Sequence, residues 1–289
     1  MPVIVEDFEE PTSGSLHNEM PIFDIMEEEE WAEDEDVQDN KFYPVLDEAT
    51  DLATPAIICY LSQGAREVMN LYYLNRQNEQ TSILALGLGN VLVSSCVMAV
   101  CQCLGQSMES LVAQSLATGK MKLCGHHLNR TMIMWTLAFL LLSPMAVFYR
   151  YVLSAFGYDD KTLFVVTQYL VCLLPGLFTF GLCDLYRRFF ICFNNSKTPM
   201  ACYVSTLIFY PLILHLFIEK HEMKLMGIAA ASLLSYLMTF AQLRVMFAKC
   251  SEMHETNVSP SAQTLYGFNQ YLFQALFPLG TSVLDLASW

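Results

Sequence analysis

The sequence predicts an all-α, polytopic membrane protein, and three observations carry that expectation. Hydrophobic residues make up 54% of the chain, charged residues only 15%, and the mean hydropathy is +0.36, outside the balance of a soluble domain. The apolar residues gather into runs of about 20 or more, enough for an α-helix to cross a hydrocarbon layer about 30 Å thick. None of these runs alternates as a barrel strand would, so helices are the expected spanning elements.

The chain opens with residues 1–51, which hold eighteen of the 29 carboxylates and a single lysine, so the net charge of −14 belongs to this tail. Its run EEEEWAEDEDVQD, from Glu27 to Asp39, repels itself and offers too little apolar surface to offset chain entropy, which predicts disorder. No basic stretch leads into an apolar core, so the tail does not read as a cleavable secretory signal. Two short pieces, PIFDIM at Pro21–Met26 and YPVL at Tyr43–Leu46, read either as solvated spacer or as docking motifs for trafficking proteins.

Seven spans follow, at 52–75, 80–117, 124–149, 162–188, 199–219, 225–247 and 266–289, with a linker at 248–265 before the last. Gly105 interrupts the long second span and predicts a bend or an extension there. Pro175-Gly176 predicts a kink in the fourth. Lys120, Lys122 and Arg130 follow the second span, Arg187, Arg188 and Lys197 the fourth, and Arg244 and Lys249 the sixth. On the opposite side Arg76, Arg150, Lys161, Lys220 and Lys224 lie mostly beside acids such as Glu79, Asp159, Asp160, Glu219 and Glu222. The excess of Lys and Arg puts the first set, the acidic N-terminus and the 248–265 linker in the cytosol. A seven-helix receptor, with its N-terminus outside, is excluded on that orientation.

Catalytic motifs are missing: the sequence has no GxxxxGK[ST] phosphate loop, no HExxH and no GxSxG elbow, so no enzyme is expected. The ten cysteines are scattered, with Cys101 and Cys103 inside an apolar span, and read as buried thiols; neither a metal site nor a cofactor is expected. Polar groups within spans remain as the functional candidates, because such groups face a cavity or a partner helix.

The order of several short motifs resembles the multidrug and toxic compound extrusion (MATE) transporters, over roughly 52–289. The first span, LATPAIICYLSQGAREVMN, resembles the family's opening helix, in which a proline precedes a glutamine, here Gln63, and then a further polar position. Ala85–Asn90 is similar to an LGN-type signature, Glu109 to Lys120 to ET-x-x-GQAxGAGK, and Gly125–Arg130 to G-x-x-LQR. Pro175-Gly176-Leu177-Phe178, Arg188-Phe189-Phe190 and Pro199-Met200 resemble PGLF…RFFQAQ…P, and His215 with Gly227–Ala231 resembles H…GxxGAA.

The resemblance implies a six-helix lobe at 52–247, an incomplete seventh helix at 266–289, and a second lobe to be supplied by missing sequence or by another half-transporter. It also implies an antiporter that exports organic cations or other amphipathic compounds in exchange for H⁺ or Na⁺. The partners are then small-molecule cations and membrane lipid, not nucleic acid. Asn70 stands where many members carry a cation-binding aspartate, and the seventh-helix carboxylate has its counterpart in Asp285, between Pro278 and Trp289. An intramembrane carboxylate without a partner is costly, which makes Asp285 the leading coupling residue. Glu109 reads as a proton-coupling group or as an acceptor between helices, and Asn90 and Gln114 as cavity groups or helix glue. Asp184 with Arg187 and Arg188 reads as a helix-end ion pair or a substrate contact, and His215 as a packing group or a proton carrier. Two alternatives stay open: a non-transporting scaffold or defunct half-transporter, and a lipid-linked oligosaccharide flippase of the same superfamily. Location in a plasma, vacuolar or endosomal membrane fits equally.

The orientation has a direct test. Asn129-Arg130-Thr131, Asn194-Asn195-Ser196 and Asn257-Val258-Ser259 all fall on the cytosolic side. Expression in eukaryotic cells is expected to yield a band whose mobility is unchanged by glycosidase. Glycan at any of the three sequons contradicts the topology.

Overall fold

A computed structural model of the chain describes residues 35–77, 80–221 and 223–258. The chain divides into two units, 1–48 and 49–289, and the second holds the helical bundle. In order come α1 (Glu35–Asn75), α2 (Gln80–Leu92), a π segment (Val93–Met98), α3 (Ala99–Ala117), α4 (Met121–Leu142) and α5 (Met145–Ala155). Then follow α6 (Asp160–Cys192), α7 (Lys197–Leu214), a second π segment (His215–Lys220), α8 (Lys224–Lys249) and a 3₁₀ turn (Ser251–Thr256).

Four stretches among the described residues are long and apolar enough to cross a membrane: Gln80–Ala117, Asp160–Cys192, Lys197–Lys220 and Lys224–Lys249. The third expected span arrives as two helices, α4 and α5, bent by 41° at Ser143-Pro144, and makes a fifth if taken as one. The proline has no amide to continue the helical ladder, which explains the break. α1 is not among the four, and Arg66 and Glu67 interrupt its apolar character mid-helix. The expected seventh span lies outside the described residues, and Asp285 with it.

Three details refine the sequence expectation. Helix α1 begins at Glu35, inside the acidic stretch expected to lack regular structure. There Phe42, Tyr43, Val45 and Leu46 interrupt the run of carboxylates in the sequence. At Gly105 the helix is not interrupted, α3 continuing through it from Ala99 to Ala117. The irregularity sits instead at Val93–Met98, where the Ser94 and Ser95 hydroxyls donate to the Val91 carbonyl at 3.1 and 2.7 Å. Such back-bonding competes with the backbone ladder and loosens the turn. Finally, Pro175 lies inside α6 without ending it. The Thr179 hydroxyl donates to the Pro175 carbonyl at 2.9 Å one turn on.

α6 is the central post, contacting α2, α3, α4, α5 and α8. Glycines set how closely its neighbours approach. A Cβ at Gly176 would stand 3.4 Å from the Leu233 backbone of α8, the close approach that small residues allow between membrane helices. A Cβ at Gly125 on α4 would collide with the Thr256 carbonyl, so the start of the 248–265 linker folds against α4. The Asn129 side-chain amide holds it there, donating to the Val258 carbonyl at 2.7 Å. Outside the bundle Leu61, Leu140, Leu141, Phe148, Tyr151 and Phe156 are exposed, an apolar surface suited to lipid.

Gly181 leaves room for the fully buried Trp135 indole, whose Nε1 donates to the Phe178 carbonyl at 3.1 Å. Gly181→Val is expected to push the ring out of place and cost about 1–3 kcal/mol, the range for overpacking. A lower unfolding midpoint with red-shifted tryptophan emission checks this; an unchanged midpoint contradicts the packing.

Candidate functional site

The inner face of α1 is unusual for a buried stripe. Cys59, Ser62, Arg66, Asn70 and Leu74 recur at helical spacing and are all buried, yet three of the five are polar. The faces of α7 and α8 that meet them carry hydroxyls and an amide at the same period. These are Tyr203, Thr206 and Tyr210 on α7, and Ser232, Ser235, Thr239 and Gln242 on α8. The bundle therefore encloses a polar interior within apolar walls, and it falls into three groups.

The first group is charged and closed. Both oxygens of the buried Asp184 are taken: Oδ1 accepts from Arg187 Nε at 3.0 Å and Nη2 at 2.6 Å, and Oδ2 accepts from Arg188 Nε at 2.7 Å. Arg188 Nη1 continues to Glu109 at 3.1 Å, and Arg187 Nη2 donates to the Tyr60 hydroxyl at 2.9 Å. The Arg187 guanidinium also lies 4.6 Å from the centre of the Tyr60 ring. Two cations and two anions thus cancel inside the protein. Gly105 makes the arrangement possible, since a Cβ there would stand 2.5 Å from Arg188 Cδ.

A second group is neutral. Tyr210 donates to Asn70 Oδ1 at 2.6 Å and lies 3.2 Å from the Ser232 hydroxyl. One turn away Thr239 donates to Thr206 at 3.1 Å, and Ser205 donates to Gln242 at 2.9 Å. Asn70 therefore sits at the heart of the interior as a hydrogen-bonding amide, with no carboxylate hydrogen-bonded to it among the described residues.

The third group is open. Glu67 is exposed and accepts one hydrogen bond, from Asn90 Nδ2 at 3.1 Å, while Asn90 Oδ1 faces the Tyr169 hydroxyl at 3.5 Å. Among the described residues Glu67 makes no ion pair. Behind it the buried Arg66 donates from Nη1 to Ser235 at 3.1 Å and lies between the rings of Tyr203 and Tyr236, 5.7 and 5.0 Å from their centres.

The structure thus separates the residues that the sequence singles out. Asp184, Arg187, Arg188 and Glu109 come together in one neutral cluster. Gln63 and Asn70 lie on α1, and Asn90 on α2 reaches back to that helix. Gln114 is exposed and donates to Ser110 on its own helix at 3.4 Å, and among the described residues it glues no helix pair. His215 is exposed and paired with Glu219 at 2.8 Å. The exposed Glu67 and the tyrosines around the buried Arg66 have no motif marking them. The signal for them in the sequence is the helical spacing of hydroxyl residues along two otherwise apolar spans.

These features define a polytopic helical membrane protein with a polar interior and no catalytic set among the described residues. The MatE family model matches residues 55–217, more than half of the chain, and the chain belongs to that family of transporters rather than enzymes. It is similar to the protein DETOXIFICATION 33 of Arabidopsis thaliana, at 23% identity over 75% of this chain and 45% of that protein. DETOXIFICATION 48 of the same plant is 26% identical over 74% of this chain and 40% of its own length. The solved eukaryotic MATE transporter AtDTX14 superposes with a TM-score of 0.75 at 17% identity, covering 83% of this chain and 54% of that one. An outward-facing multidrug resistance MATE family transporter of the MOP superfamily gives 0.67 at 17% identity, over 83% of this chain and 54% of that chain. The chain spans about half the length of the relatives it matches.

Asp184 has a clear test. Asp184→Asn leaves two buried guanidiniums sharing only Glu109, and breaking a buried pair in this way costs about 3–5 kcal/mol. The exposed Arg76–Glu219 pair, 3.2 Å apart, is the control, expected to be worth about 0–1 kcal/mol. Thermal unfolding in detergent is expected to fall sharply for Asp184→Asn and hardly at all for Arg76→Gln. Equal shifts contradict a structural role for the cluster.

Proposed function

We propose that the chain forms one lobe of a secondary active antiporter, which exports organic cations or other amphipathic compounds in exchange for H⁺ or Na⁺. Glu67 carries this reading. It is an exposed carboxylate in the middle of α1, held by one amide and unpaired with any cation among the described residues. A carboxylate within a membrane domain that lacks a cation partner gains free energy by taking up a proton or a metal cation, or by pairing with a positively charged substrate. Those occupants exclude one another, and mutual exclusion is the thermodynamic content of antiport. The other acids of the interior, Asp184 and Glu109, already share two guanidiniums and have no such freedom.

Asn70 supports the same assignment. It fixes α1 to α7 and cannot change charge, so the coupling charge moves to the next residue type on that helix able to titrate. Asn90 and Tyr169 position the Glu67 carboxylate and accept or release it as its charge changes. The apolar walls, rich in Met and Phe, suit the hydrophobic bodies of amphipathic cations. Alternating access requires a second lobe rocking against this one, and Asp285 would contribute from the segment that joins them. On this reading the N-terminus is cytosolic and export is driven across a plasma, vacuolar or endosomal membrane.

Transport by proteoliposomes holding the chain together with its second lobe tests this. Glu67→Gln is expected to reduce efflux of a fluorescent organic cation, driven by a proton or sodium gradient, by at least tenfold while leaving assembly intact. Gradient-driven efflux at the wild-type rate in Glu67→Gln contradicts the assignment.

A further inference from the structure

Five buried side-chain polar atoms among the described residues lack a hydrogen-bond partner, and three of them belong to neighbouring residues inside the lobe. They are Gln63 Nε2, Arg66 Nη2 and the Tyr203 hydroxyl. Gln63 and Arg66 lie one turn apart on the same face of α1, and the Arg66 guanidinium lies over the Tyr203 ring. Arg66 is 4% exposed and Tyr203 1%.

The charge on Arg66 is the harder fact to balance. Among the described residues no carboxylate lies within ion-pair distance of it. Asp184 is committed to Arg187 and Arg188. Glu67, next in sequence, turns its carboxylate to Asn90, because adjacent helical residues point to different sides. The two tyrosine faces offer about 0.5–2 kcal/mol, against a desolvation penalty of several kcal/mol for one ion. A water molecule would satisfy Nη2 but would bring no charge. Gln63 and Arg66 present N–H groups, and the tyrosine hydroxyl can donate as well. Missing from this spot are an acceptor and a negative charge, and one species supplies both.

We propose that Gln63, Arg66 and Tyr203 form a binding site for a small monovalent anion, either a halide or a carboxylate group. One guanidinium balances one charge, which favours a monovalent occupant over sulfate or phosphate. The site stands on Arg66 and its neighbours and does not depend on Glu67 coupling transport. With the anion bound, the interior charge of this part of α1 is set by Glu67 alone. With it absent, Arg66 repels any cation approaching Glu67. Anion binding and cation binding on this lobe are therefore linked, each raising the affinity for the other.

The test uses the 289-residue chain in lipid nanodiscs, with thermal unfolding followed by tryptophan emission. Sodium gluconate is replaced stepwise by sodium chloride, sodium acetate or sodium octanoate at constant ionic strength. The unfolding midpoint is expected to rise and saturate with chloride or acetate. Octanoate binding more tightly than acetate assigns the site to the carboxylate of an amphipathic substrate; equal response to chloride and the two carboxylates assigns it to a free anion. Arg66→Gln is expected to abolish the response. Tyr203→Phe, which removes one hydroxyl and keeps the ring, is expected to weaken it about tenfold and carries the test if Arg66→Gln fails to fold. A midpoint indifferent to the anion, or a response unchanged in Tyr203→Phe, overturns the proposal. So does an anion response that appears only in Asp285→Asn, since the counter-charge of Arg66 would then belong to the chain itself.

Discussion

Inside a lipid-facing helical bundle a charge must find its opposite or a reason to be left open, and that constraint organises this protein. Where α6 nears its C-terminal end, Asp184 holds two guanidiniums and passes one of them on to Glu109. The result is a buried cluster with no net charge, built from adjacent residues on one helix and a single acid on another. Neither arginine could be tolerated there alone, because the Coulomb gain of a complete cluster is what offsets desolvation. The cluster thereby fastens α3 and α1 to the central helix, the first through Glu109 and the second through Tyr60.

The packing elsewhere follows from what this fastening requires. Gly105 gives up a side chain so that Arg188 can cross α3, and Gly181 gives one up so that Trp135 can lie against α6. Thr206, Tyr210, Ser232 and Thr239 satisfy one another between α7 and α8, leaving Asn70 as a neutral tie from α1 to that pair. Beside these paired groups, the two charged residues at Arg66 and Glu67 stand out. One is buried with an idle donor, the other exposed with a single amide for company. Charged groups kept in that condition are where a solute has something to bind.

Much of the architecture was legible in the sequence because apolar runs end at charged or turn-forming residues. The second span was bounded at 80–117, and the structure ends its helical run at the same residues. The ordered motifs around Gly125–Arg130 and Pro175–Phe178 pointed to the family that the MatE match establishes. Bends were less legible. Gly105 looks like a breaker in one dimension but serves as a gap for an arginine, while the real irregularity comes from Ser94 and Ser95, whose effect depends on hydroxyls choosing backbone over solvent. Pro144 breaks a span whose apolar pattern continues across it. The interior was the least legible part. Arg66 meets Ser235, 169 residues away, and Tyr203 and Tyr236 come from α7 and α8. No local pattern encodes those meetings. Motif resemblance directs attention to Asn70 and Asp285, and it is silent about Glu67, which shares a helix with Asn70 but faces α2.

The central claim is that Glu67 is the open carboxylate of this lobe, on which coupling cation and cargo compete. Equilibrium binding of a lipophilic organic cation to the chain in nanodiscs, as protons or sodium ions are added, tests it most directly. The account predicts that one of these two ions weakens the binding competitively in the wild type and that the competition vanishes in Glu67→Gln. Competition of undiminished strength in Glu67→Gln would contradict it.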